Sequence, residues 1–195
     1  MRKQLTLITF LHFIALTVWA QHGDFDAAIT ICHKSTYGFK QCVGEGEKAD
    51  ADIVPCFLNG ENLGNAERNS TWLRFDIKES GNLEFVIVPQ QEDDDFDFVL
   101  FLLREDTTLS VRNIVRCMAA GEKNGVNSPC MGATGLREGE SDVTADAGCS
   151  HKNDNAFLAP LNAQKGEFYA LLVSNMTSTQ GFTIQFSGTA MLRCE

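Results

Sequence analysis

Asp93, Asp94, Asp95 and Asp97 place four carboxylates within five positions of the segment GNLEFVIVPQQEDDDFDFVLFLL, directly after Glu92. Like charges that close repel, so bulk water, a cation or a basic partner must compensate them. Calcium suits such a set, because it is a hard cation that takes roughly six to eight oxygen ligands and accepts carboxylates at a loop edge. The competing reading is a solvated acidic turn that caps a strand and discourages edge pairing. Strand alternation divides the set, since Asp95 and Asp97 share a face and Asp94 does not. These four aspartates are the candidate metal ligands, and calcium is the cofactor they would take.

A second acidic set, Glu138, Glu140, Asp142, Asp146 and Asp154, falls in or just after the loop bracketed by Cys130 and Cys149. It lacks EF-hand spacing and matches calcium less well. Catalytic patterns are missing: there is no GxSxG elbow, no HExxH, no GxxxxGK[ST] and no glycine-rich dinucleotide turn. Cys149 and His151 stand too close along the chain to serve as a nucleophile and its base. The expectation is a protein that is not an enzyme. Trp72 is the candidate ligand-binding aromatic, because it shares a strand face with Arg74 and Asp76 and could stack on a sugar. The alternative is that Trp72 packs within a second layer, as large aromatics usually do.

The chain has 195 residues and seven cysteines, Cys32, Cys42, Cys56, Cys117, Cys130, Cys149 and Cys194. Arg2 and Lys3, the apolar run from Leu5 to Val18, and Val18-Trp19-Ala20 together read as a signal peptide over residues 1–20. Residues 21–195 then form a single domain. In an exported chain, cysteines default to disulfides, each contributing about 2–4 kcal/mol. The expected bridges are Cys32–Cys56 with either Cys117–Cys130 or Cys130–Cys149, each closing a loop of little apolar content. Seven is odd, so at least one thiol is free or bonded to another molecule. No CxxC or CxxH pair supports a metal reading of these cysteines. With 26 acidic against 16 basic residues and a net charge of −10, the surface opposes nucleic acid and anionic lipid. Without a further apolar stretch, no membrane insertion is expected after the leader is removed.

The elements that must position these residues are strands. TWLRFDIK alternates, with Leu73, Phe75 and Ile77 on one side, and Leu83, Phe85 and Ile87 continue the pattern. Phe96, Phe98, Leu100 and Leu102 face one way in a segment that becomes apolar on both sides, as a central strand does. GEFYALLVS and GFTIQFSG supply two more, and Ala190 to Leu192 extends the edge. Gly121 to Asn155 is a long irregular loop stapled by cysteines. Helix signals are nearly absent. The expected class is all-β, an antiparallel β-sandwich whose core is carried largely by the 12 Phe that follow the leader.

ITIC, PCF–NG, NSTWLRF, SGNLEFVIVP, the acidic turn with DFVLFLL, RCMAAG, MGATGL, the DV–AGC stretch, APLNAQKGEFYALLVSN and GFTIQFSGTA follow one another in that order. In this the chain resembles a Bacteroidota exported or cell-surface module found in gliding-motility-associated proteins, distantly similar to prepeptidase C-terminal and CUB-like domains. The resemblance implies a jelly-roll sandwich and supplies no catalytic residues. Larger members carry a sorting signal for type IX secretion, whereas this chain stops soon after its last strand; periplasm and cell surface are both compatible locations. Cys42 and Cys194 look like additions to the family pattern. The expected function is a non-enzymatic binding or assembly module, an accessory of an envelope or secretion complex with a protein partner there. The alternative is a carbohydrate- or calcium-dependent adhesion module that meets a surface glycan.

Overall fold

The structure, a computed structural model, describes residues 23–42, 44–48, 54–57, 67–103, 109–121, 129–149 and 155–194. The expected leader, His151 and Asp154 lie outside them. Two sheets face one another. The first runs β1 (Ile29–Thr30), β3 (Ser70–Glu79), β11 (Phe168–Asn175), β5 (Phe96–Leu103), β6 (Ile114–Met118) and β8 (Thr144–Ala145), with β13 (Met191–Arg193) also on β3. The second runs β2 (Thr36–Gln41), β12 (Gln180–Gly188), β4 (Gly81–Pro89), β7 (Thr134–Leu136) and β9 (Phe157–Leu158), with β10 (Leu161–Ala163) on β4. Helical structure among the described residues is limited to 3-10 turns such as Pro55–Phe57. Among those residues no helix is long and apolar enough to cross a membrane.

The alternating segments became the long strands, and their apolar sides meet between the sheets. Leu73, Phe75 and Ile77 from β3, Phe98 and Leu100 from β5, and Leu171 and Val173 from β11 face Leu83, Phe85, Ile87, Phe182, Ile184 and Phe186 of the second sheet. Phe85 lies edge-on to Phe98 with ring centroids 5.2 Å apart, and Phe75 lies edge-on to Phe186 at 5.3 Å. Each buried Phe contributes on the order of 1.5–3 kcal/mol.

A second, smaller core covers the other side of the first sheet. There Trp72, Val99, Phe101 and Leu172 cluster with Val54, Cys56 and Phe57, which belong to a short irregular segment. β5, with neighbours β11 and β6, is thereby buried on both faces, which is why FVLFLL, after Asp97, is apolar throughout.

Four expectations need correction. The sandwich is mixed rather than purely antiparallel: β1 with β3, β6 with β8 and β7 with β9 pair parallel. Each parallel pair includes a two-residue strand, and a strand of the other sheet intervenes along the chain each time, the kind of crossover connection parallel pairing requires. Cys32–Cys56 and Cys117–Cys130 do not form; Cys56 bonds Cys117 and Cys130 bonds Cys149. The Cys56–Cys117 bridge pins the outer segment to β6, a contact across layers that loop composition could not reveal. Ala190 to Leu192 does extend an edge, but the edge is that of the first sheet rather than of the sheet holding β12. At Gly188, whose φ of +81° favours glycine, the chain turns, crosses to the first sheet and adds β13 to β3. The long irregular loop contains β7 and β8, with the Cys130–Cys149 bridge across them.

Candidate functional site

The β4–β5 connection turns where the Gln91 carbonyl accepts the Asp94 amide at 3.0 Å, and it delivers the aspartates into three different environments. Asp93 is exposed. Asp94 is buried and fully engaged: its carboxylate accepts Asn175 Nδ2 at 2.9 Å, Ser178 Oγ at 2.7 Å and Thr177 Oγ1 at 3.2 Å. Thr177 Oγ1 in turn accepts the Asp95 amide at 3.0 Å, while the Met176 amide donates to the Asp95 carbonyl at 2.8 Å. The β4–β5 and β11–β12 turns are therefore one hydrogen-bonded unit. Gly132, two residues beyond Cys130, has its backbone alongside the Glu92 carbonyl, so the stapled loop joins the same end of the sandwich.

Asp95 and Asp97 share the face of β5 that carries Val99 and Phe101, away from the inter-sheet core, and Asp97 sits across from Ser174 of β11. Asp95 is 8% exposed and Asp97 4%. The Oδ1 atom of each is buried with no hydrogen-bond partner among the described residues. Gly121, just past β6, closes the pair from the side; a Cβ there would overlap the Asp95 carboxylate.

Burial, then the charge of Asp94, pushes Asp95 up to about 7. Burial, then the charge of Asp95, holds Asp97 well above the usual carboxylate range. The effective cost of a bare buried charge is several kcal/mol per ion, so two adjacent ones are not tolerated without compensation. Protons can supply it, and so can a cation. The solvated acidic turn is thus overturned for Asp94, Asp95 and Asp97 and holds for Asp93.

The remaining candidates are dispersed. Trp72 is fully buried, its Nε1 donating to Glu67 Oε1 at 3.0 Å and its ring edge-on to Phe25, so it is no platform for a sugar. In the second acidic set, Glu140 pairs with Arg137, whose hydrogen bond lowers its pKa, and also accepts Asn155 Nδ2. Asp142 and Asp146 line a groove with Thr144, Asn155 and Phe157. Among the described residues no group of three or more His, Cys, Asp or Glu side chains is gathered to hold a metal ion.

Asn175, Thr177 and Ser178, which hold Asp94, went unmarked in the sequence, where NMTST reads as a polar hairpin. The sequon Asn175-Met176-Thr177 is closed to glycosylation because Asn175 is fully buried. Gly121 likewise gave no signal, because close approach by a backbone is invisible in composition.

No family model and no curated protein matches the chain. Among solved structures it is similar to CorA, described as a surface-associated copper-binding protein important in Methylomicrobium album BG8 copper acquisition. That likeness has 9% identity and a TM-score of 0.40, covering 83% of this chain and 98% of the other. A likeness this loose carries no argument about ligand or role.

Proposed function

We propose that this chain is a non-enzymatic, exported binding module whose loop-bearing end is set by calcium held between Asp95 and Asp97. The observation that carries the reading is the pair of buried carboxylate oxygens without partners. Its donors are oxygens alone, and a hard divalent cation is the class that oxygen donors select. The two carboxylates would supply part of the coordination, with backbone or water oxygens completing it. Calcium there would tie the start of β5 to Gly121 and stiffen the β4–β5, β11–β12 and Cys130 turns, the surface offered to a partner. Two disulfides fit an exported protein. The resemblance in sequence to Bacteroidota surface modules supports an envelope protein or a surface glycan as that partner.

Calorimetric titration of calcium into chelator-treated protein tests the site, alongside thermal melting. A hundredfold excess over Kd stabilises by about 2.7 kcal/mol, or roughly 5–10 °C in a domain of this size. Asp97→Asn is expected to abolish both the heat and the shift. Absence of binding heat together with identical melting in calcium and chelator would sink the reading.

A further inference from the structure

β1 and β13 occupy the same edge of β3, end to end. β1 runs parallel to β3 with Thr30 opposite Arg74, and the Ile31 amide donates to the Arg74 carbonyl at 2.8 Å. β13 runs antiparallel, with Leu192 opposite Ile77 and Arg193 opposite Asp76. The two short strands therefore advance toward each other and end on either side of Phe75. Each leads into a cysteine: Cys32 after β1 and Cys194 after β13. Cys194 Sγ lies 3.4 Å from His33 Nε2, and the Cys194 thiol is near enough to Cys32 to raise the pKa of the Cys32 thiol. The approach is braced from both sides. Arg193 Nη2 pairs with Asp76 Oδ1 at 2.9 Å, and Tyr37 Oη accepts the His33 amide at 3.1 Å.

From this meeting of two strand ends we infer that Cys32 and Cys194 form a third disulfide, which clasps β1 and β13 together on the edge of β3. Neither residue is buried: Cys32 is half-exposed and Cys194 exposed, so an oxidant can reach them. Cys42 is unsuited to the role. It is 1% exposed, its Sγ accepts Thr71 Oγ1 at 3.6 Å, and burial pushes its thiol up to about 11, leaving almost no thiolate. Seven cysteines then resolve into three bridges and one inert buried thiol.

The oxidant is a protein disulfide of the thiol-oxidase class, reacting by exchange. His33 Nε2 takes the proton from Cys194, whose thiolate attacks one sulfur of that disulfide and expels the other as thiolate. Cys32 then gives its proton to the expelled thiolate. Its thiolate attacks the Cys194 sulfur and releases the oxidant's second sulfur. Two electrons and two protons leave the chain, and the oxidant departs as a dithiol. The clasp holds two short strands that each keep only a few ladder bonds with β3. It also keeps that edge from opening to another chain.

Thiol counting in denaturant on the exported, unreduced protein is the primary test. One reactive thiol, Cys42, is expected, together with a Cys32–Cys194 linked peptide in non-reducing digests. Cys32→Ser and Cys194→Ser should each show two thiols and lose several degrees in Tm, with the double variant no lower than either single one. Hydrogen exchange at Ile31 should slow on oxidation of the wild type, a readout that needs no variant to fold. Three reactive thiols in the exported protein, or Cys194 bridged to a different chain, overturns the inference. The calcium reading is untouched by either result, since Asp95 and Asp97 lie on β5 and its leading turn.

Discussion

Along β5 and its leading turn, Phe98 and Leu100 meet the second sheet, whereas Asp95, Asp97, Val99 and Phe101 meet turns and loop ends on the opposite side. The inner region is a lattice of aromatic and branched side chains from long, well-paired strands, in which each residue has many equivalent neighbours. The outer region rests on a short segment around Cys56, one disulfide and a buried carboxylate pair. Stability resides in the first and adjustability in the second. A charge inside the inner core would meet only apolar side chains, while one in the outer region, beside turns and loop ends, can be compensated by a proton or a cation.

Phe85→Ala gives the largest expected effect on this contrast. It should cost about 3–5 kcal/mol in chemical denaturation, equally in calcium and in chelator. A calcium-dependent cost would mean that the two regions are not separable. Next, Cys56→Ser combined with Cys117→Ser should cost about 2–4 kcal/mol. Hydrogen exchange should then accelerate first around Trp72 and Phe57, with β4 and β12 still protected; simultaneous loss everywhere would contradict an outer layer that opens on its own.

A smaller effect follows from the pKa of Asp95. The folded protein holds a proton that the unfolded chain, with its ordinary carboxyl pKa of 3.8, gives up. The associated stability is complete below about pH 4 and is lost as pH rises through about 7. In chelator, stability should therefore fall across that interval by up to about 1.4 kcal/mol per pH unit for each retained proton. Asp95→Asn should flatten the slope, and calcium should reverse the loss at neutral pH. A slope unchanged by Asp95→Asn would assign the titration to another group. Smallest of all, Asp93→Asn should change stability by less than about 0.5 kcal/mol, since its side chain stands in water. A larger loss, present only with calcium, would enlarge the site to include it.

Much of the sandwich was legible beforehand, because period-two alternation reports directly on which side of a strand is dry. Leu73, Phe75 and Ile77, and Phe182, Ile184 and Phe186, all lie where alternation puts them. Short strands such as β1 and β8 are too brief for any pattern, and their parallel pairing depends on where a long connection lands. For the candidate site, the split of Asp95 and Asp97 from Asp94 followed from strand geometry. Their burial did not, because four clustered carboxylates look solvated until Asn175, Ser178 and Gly121 are brought against them from distant parts of the chain.

By itself the sequence determined the all-β class and the inward faces of the long strands, since both are local properties of residue order. It also set the supply of carboxylates at the start of β5. Only the tertiary structure decided that Cys56 meets Cys117, that Cys32 approaches Cys194 and that three of the aspartates lose their water. Those outcomes depend on contacts between segments far apart in the chain, whose distances are set by packing of the whole and are encoded at no single position.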